Sequence, residues 1–387
     1  MYKYILFLLP LFLFLSCAEQ FHTPPPLDPA LGPELKSYIE THKQTPADYV
    51  VSKFADHDVV IMGEYHRVKE NVELIQELIP RVYGRGVRVL ATEFARREDQ
   101  PLIDSLLNGA SYNESLAREI TFNQFAYWGF QEYVDIFKAA WQFNQQLPDT
   151  MPRFRILGMN DSPDWSYLES SDDRNNPDVM KKVWQGGGED KWAKVVTDAV
   201  ADSQKVLVYC GIHHGFTSYE QPIVNNGKFV RFETERMGNY VKDALGDRVM
   251  TVYLHAIWPP RDGYGGIYVY AAEGQIDALF KELGPNFYPV GFDLHGTPFG
   301  KLGGKNSVYS QGYDSFTISQ FADGWIFQCP ISQYHGVTPI ENFINGRNFE
   351  TAKRQSPNPS LRKLSMNEMN NVIANDAKQA WWLGRYE

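Results

Sequence analysis

Two short elements, Gly63-Glu64-Tyr65-His66 and Gly211-Ile212-His213-His214, both read G-x-x-H, and each follows a run of β-branched and apolar residues. A third such run, Val87–Thr92, is followed directly by Glu93. Glu64, His66, Glu93 and His214 are thus two carboxylates and two imidazoles placed just beyond expected strand ends. Two chemistries use such a set. Imidazole nitrogen and carboxylate oxygen can together hold a divalent cation. Alternatively, an imidazole serves as general base near neutral pH while a carboxylate orients it. His213, Asp161 in the stretch GMND, and Arg96 with Arg97 are second-rank members, the arginines as partners for a carboxylate or oxyanion. Taken singly, each of these residues reads equally well as a helix cap or a hydrogen-bonded side chain at a sheet edge. Four of them at strand ends favour one shared site.

The remaining reactive side chains carry less weight. His255 lies inside an apolar run (VYLHAIW) and reads as a core histidine, whereas His295 and His335 fall in glycine-containing loops. Cys210 ends a strand-like run, where a buried, inert thiol is the default. No G-x-S-x-G elbow occurs, which disfavours a Ser-His-Asp hydrolase of the usual α/β kind. Gly186-Gly187-Gly188 has neither the preceding strand nor the following Lys-Ser or Lys-Thr of a phosphate loop and reads as a helix break. The aromatic residues of 122–143 recur at helical intervals and are first of all core, although they could also wall a flat apolar ligand.

The elements that must position the four residues follow one pattern. Short runs at 58–62, 87–92, 154–158, 205–210, 249–255, 288–292 and 325–328 are apolar on both faces, as buried parallel strands are. Between them Val68, Val72, Ile75, Leu78, Ile79 and Val82 recur at helical spacing, as do Met237, Tyr240, Val241, Ala244 and Leu245. Strand alternating with helix predicts an α/β fold, a mostly parallel sheet flanked by helices. Aromatic-rich helical material near 110–146 and 165–203 interrupts the alternation and is expected to form an inserted cap over one sheet edge. The stretch 366–382 is expected to be a helix docked back on the body. Ligands of open α/β sheets sit beyond the carboxyl ends of the strands, so the two turns and Glu93 converge only if their strands are neighbours.

The chain has 387 residues, 43% hydrophobic and 22% charged, which is globular composition. Its net charge of −10 is the wrong sign for a protein that coats nucleic-acid phosphates. Three cysteines, Cys17, Cys210 and Cys329, are too few for a disulfide framework. Residues 1–16 carry one charge, Lys3, and an apolar run from Ile5 to Leu15, the form of a signal peptide. The run ends in Leu15-Ser16-Cys17, which resembles a bacterial lipobox and implies lipidation at Cys17. The expected layout is a signal peptide (1–16), a lipidated cysteine with a proline-rich tether (17–33) and a single α/β body (34–387), exported and lipid-anchored to the bacterial cell envelope.

At the two turns the chain resembles the ChaN-like haem-binding lipoproteins. The likeness starts at DVVIMGEYHRVKENVELIQELIPRVYGRGVRVLATEFARREDQPLIDSLLNG (58–109) and continues through RILGMND (155–161) to VLVYCGIHHG (206–215). That group is similar in turn to the Tiki/TraB proteins, some of which look like metal-dependent proteases, and to the erythromycin esterases. The positions that match the motifs are Glu64, His66, Glu93 and His214. Arg67-Val68-Lys69 departs from the Asp-Asn-Pro that often follows the first histidine of the group. The resemblance implies a membrane-anchored binding protein for haem or a metal ion, with haem held by tyrosine, serving iron or haem uptake. The residues themselves equally suit a metal- or His/Glu-dependent hydrolase of esters or peptides. A third reading, an interaction protein that keeps only the fold, predicts that the four residues need not converge. The expected partners are a small-molecule or haem ligand and the membrane, with a second copy of the chain left open and nucleic acid excluded.

Overall fold

The computed structural model describes residues 22–264, 266–378 and 383–387. The signal peptide and Cys17 lie outside the described residues, as do positions 379–382 of the expected C-terminal helix.

Among the described residues there are nine strands, β1 (Val59–Glu64), β2 (Val87–Arg96), β3 (Arg155–Asn160), β4 (Lys205–Gly211), β5 (Gln221–Asn225), β6 (Lys228–Glu233), β7 (Val249–Leu254), β8 (Val290–Asp293) and β9 (Gly324–Phe327). Seven of them form one sheet in the order β3-β2-β4-β1-β7-β9-β8, while β5 and β6 pair separately as a hairpin. Every neighbouring pair in the large sheet is parallel except β8 with β9, which closes the edge antiparallel. The mostly parallel, helix-flanked α/β fold expected from the alternation is therefore observed.

Both faces of β1 are buried, and successive residues serve opposite cores. Val60 and Met62 pack with Val72, Ile75, Ile79 and Val82 of the helix Lys69–Tyr83. Val59 and Ile61 pack with Trp192, Ala193, Val196 and Val200 of the helix Glu189–Ala201 and with Val241 of the helix Met237–Leu245. The period of two along the strand thus meets two periods of 3.6 on the helices. The aromatic-rich stretch expected near 110–146 forms the helices Glu114–Gln124 and Gln131–Gln146, whose buried Phe122, Tyr133 and Phe137 join the first of these cores. The C-terminal helix Met366–Ala377 docks there through Met369, Ile373 and Ala377. Among the described residues, no helix is long and apolar enough to cross a membrane.

Residues 22–33, expected to form a tether, lie along the body. Leu27 is buried, Asp28 N–H donates to Gln275 at 2.8 Å, and Tyr270 OH donates to the His22 carbonyl at 2.8 Å.

Candidate functional site

The neighbour condition is met. β4 lies between β1 and β2, and the register sets Glu64 opposite Gly211. Two glycines let the turns close on one another. A Cβ on Gly63 would stand 2.4 Å from Ile212 Cδ1, and one on Gly211 would stand 2.7 Å from His66 Cε1 and 3.6 Å from Glu93 Oε2. Only a residue without a side chain permits that approach.

The four side chains picked from the sequence form a continuous chain of contacts. Glu64 is buried, and its Oε1 accepts from Tyr133 OH at 2.7 Å and pairs with His66 Nδ1 at 2.8 Å, while its Oε2 accepts from Tyr209 OH. Because a carboxylate only accepts, His66 presents Nδ1–H to Glu64 and turns Nε2 outward. That Nε2 lies 3.6 Å from Glu93 Oε1. Glu93 Oε2 accepts the Gly211 N–H at 2.8 Å and lies 3.9 Å from His214 Nε2. On its far side His214 Nδ1 is 3.1 Å from Glu189 Oε1, an ion-pair contact without hydrogen-bond directionality. Glu189 is fixed in turn by Arg236 Nη1 at 2.9 Å and the Met237 N–H at 2.7 Å. Two imidazoles, each backed by its own carboxylate, thus face a third carboxylate between them.

These charges set the protonation. Burial by itself would depress the His66 pKa, but the Glu64 hydrogen bond and the charges of Glu93 and Glu64 more than offset it, and the pKa lies above the ordinary histidine value. His214 is raised in the same way, burial being outweighed by Glu93 and Glu189. Burial would raise Glu189, yet contact with His214, the Arg236 charge and the Met237 N–H bring it below the ordinary value. His213 goes the other way. Burial, with the charges of Arg236 and His214, pushes it down to about 3, so it is a neutral imidazole, with Nε2 2.8 Å from Tyr309 OH.

Above this floor lies an open cleft of about 240 Å³, lined by His66, His213 and His214 and by Tyr65, Tyr264, Tyr268 and Tyr309. Trp128 closes one side of His66, ring to ring at 5.2 Å, and Trp192 packs on His214 at 4.7 Å. The second-rank residues divide. His213 lines the cleft. Asp161 stands behind Trp192, accepting its indole N–H at 3.1 Å and pairing with Arg97. Arg96 faces away, with both guanidinium contacts to Asp99 at 2.8 Å. His255 is fully buried, while His295 and His335 pair with Asp323 and Glu70 away from the cleft. Cys210 is buried, and that burial pushes its thiol pKa well up.

Among the described residues no three His, Cys, Asp or Glu side chains are grouped to hold a metal ion. The reason is visible at Glu64, whose two oxygens already serve two tyrosines and His66. Tyr133, Tyr209, Glu189, Trp192 and Arg236 were not found from the sequence. Tyr133 does lie in the aromatic stretch 122–143, and the advance signal for Glu189 and Trp192 is the break at Gly186-Gly187-Gly188, after which Glu189 opens the next helix.

An open, mostly parallel sheet with paired G-x-x-H turns at neighbouring strand ends defines a class of α/β proteins with one polar site at the carboxyl edge. Residues 50–159 match the family described as haem-binding uptake, Tiki superfamily, ChaN, the group that the first turn resembles. Several solved structures are similar to parts of this chain. One described as cofacial heme binding to ChaN of Campylobacter jejuni is 14% identical, covering 58% of this chain and 92% of that one at a TM-score of 0.37. A mutant of the erythromycin esterase EreC in its open conformation is 10% identical, covering 72% and 92% at a TM-score of 0.45. A Bacillus cereus structural-genomics target is 10% identical, covering 76% and 96% at a TM-score of 0.48. The sequence matches no curated protein.

Proposed function

We propose that this is an exported haem-binding protein, lipid-anchored through Cys17, which takes haem at the cleft over β1 and β4 in the course of iron or haem handling. The observation that carries the reading is the lining of the cleft. Imidazole and phenolate are both axial ligands of haem iron, and here three histidines and four tyrosines surround one opening, of which Tyr65 and His66 lie inside the segment 50–159 that matches the haem-binding family. His213, held neutral, has the protonation state that an iron ligand needs. The aromatic rings of Tyr264 and Tyr268 supply apolar surface for a flat macrocycle.

A second reading is favoured by one specific feature. His66, oriented by Glu64 and facing Glu93, has the arrangement of a general acid–base centre, which supports a metal- or His/Glu-dependent hydrolase of esters or peptides using Glu64, His66, Glu93 and His214.

Haemin titration of the wild-type protein and of a His66→Ala/His214→Ala variant, followed by the Soret band, separates the two. Saturable uptake that weakens in the variant is expected. Absence of a Soret shift in the wild type, with hydrolysis of an aryl ester abolished in the variant, would replace binding by hydrolysis.

A further inference from the structure

Among the described residues six large apolar or aromatic side chains are exposed. Met151 and Tyr167 flank β3, whereas the other four lie on two other segments: Phe229 (39%) and Val230 (57%) on β6, and Tyr264 (49%) and Ile267 (65%) on the stretch 261–267. These two segments touch. The side-chain amide of buried Gln311 donates to the Gly227 carbonyl at 3.2 Å and to the Arg261 carbonyl, and Gln221 Nε2 donates to Tyr264 OH at 3.2 Å. A Cβ on Gly227, in the turn of the hairpin, would stand 3.8 Å from Asp262 Oδ1. Single exposed apolar residues are ordinary on any surface, but four on two touching segments mark a contact with something outside the fold.

The start of the docked chain lies at the same end. Ile267 adjoins Tyr268, whose carbonyl accepts from Tyr386 OH at 2.9 Å. The Tyr386 ring in turn stacks on His22 at 4.9 Å, and Tyr270 OH donates to the His22 carbonyl at 2.8 Å. Cys17 is five steps of chain from His22, at most about 18 Å when fully extended. A lipid on Cys17, the proposed anchor on which this inference rests, therefore brings a bilayer within reach of that end of the body. Tyrosine rings and aliphatic side chains are what a peripheral protein sets into the headgroup boundary. The local charge permits it: in 225–233 and 261–267 Lys228, Arg231 and Arg261 stand against Asp262 and Glu233, unlike the chain as a whole at −10.

We propose that β6 and the segment 261–267 form a bilayer-docking surface, with Phe229, Val230, Tyr264 and Ile267 entering the headgroup boundary. Tyr264 also lines the cleft, so docking sets the mouth of the cleft at the lipid surface.

The test uses the chain from Cys17 onward, coupled through that cysteine to a maleimide lipid in phosphatidylcholine vesicles. Cys210 is buried, and burial pushes the Cys329 thiol up to about 12, so Cys17 is the thiol that reacts. Hydrogen exchange at 226–232 and 261–268 is compared between coupled and free chain. Coupling is expected to slow it at least about ten-fold, the protection that burial of one aliphatic side chain supplies. A Val230→Asp/Ile267→Asp variant, changed only at exposed positions, should couple equally well and lose the slowing. Equal slowing in the variant would assign it to crowding at the vesicle, and no slowing in the wild type would mean no docking; either result overturns the proposal. Slowing in the free chain that grows with its concentration, and no further slowing on vesicles, would give the patch to a second copy of the chain and overturn it as well. Because the coupling is chemical, failure of the anchor reading shows elsewhere, as an exported protein whose mass carries no acyl chains.

Discussion

Glu64 is buried at the floor of the cleft, and three side chains depend on it. Tyr133 and Tyr209 give it their hydroxyl protons, and His66 owes its orientation and much of its raised pKa to it. Glu64→Gln keeps the size but removes the charge, leaving burial to dominate His66. The His66 midpoint, followed by NMR, should then fall to about 6.5 or below. Stability should follow the same sign. A histidine raised in the folded state contributes stability that is full below its unfolded value of about 6.5 and is lost as pH rises through the folded value. Wild-type unfolding free energy should therefore decline as pH rises above about 6.5 through the folded value, and the decline should be smaller in Glu64→Gln. An unchanged His66 midpoint would mean that Glu64 does not set it. Glu64, His66, Glu93 and His214 were legible because each stands a fixed few residues past a strand end. Tyr133 and Glu189 were not, because helix-to-sheet packing alone brings them to the site across 69 residues and 25 residues of chain respectively.

The strand-end turns act as units, and their glycines govern how closely they meet. Gly211→Ala leaves β4 and its backbone angles permissible, for Gly211 has an ordinary φ of −58°. The added methyl would nevertheless press on the His66 ring at 2.7 Å and swing its Nε2 away from Glu93. Haemin affinity or esterase turnover, whichever the cleft supports, should drop by about ten-fold or more, with an unfolding cost of only about 1–3 kcal/mol. Wild-type function in this variant would show that the close approach of the turns is incidental. The same scale explains the departure after the first histidine. Arg67 adopts φ 68°, a left-handed conformation in which Asn and Asp are far commoner. Its N–H donates to Tyr133 OH at 3.0 Å and its guanidinium lies 5.0 Å from the Trp128 ring, contacts that hold the unusual backbone. All seven strands of the main sheet could be read from sequence because burial along most of their length leaves a short apolar run, even at the edge strand β3, where Arg155 is exposed. The β5–β6 hairpin could not, since β6 (KFVRFE) is exposed along most of its length and follows no core-facing alternation.

At the scale of the whole molecule the N-terminal segment would, with the lipid proposed at Cys17, decide how the body meets a membrane. Its prolines read as a free tether, but a proline-rich chain also loses little entropy on docking, so a few contacts suffice to fix it. Here Leu27 is buried, His22 bridges Tyr386, and Pro25 fits so closely over Gly274 that a Cβ there would lie 2.5 Å from Pro25 Cδ. Only residues 18–21 then separate Cys17 from the docked chain, five steps from Cys17 to His22 and a reach of at most about 18 Å when fully extended. With lipid on Cys17, as proposed, the body would be held close against the bilayer rather than at the end of a spacer. A chain starting at Glu34 should accordingly be less stable than one starting at His22, by about 2 kcal/mol for the burial of Leu27 and its neighbours. Urea unfolding of the two chains measures this directly. Equal stability would mean that the docked segment contributes nothing, and the body would regain the longer leash that its prolines first suggest.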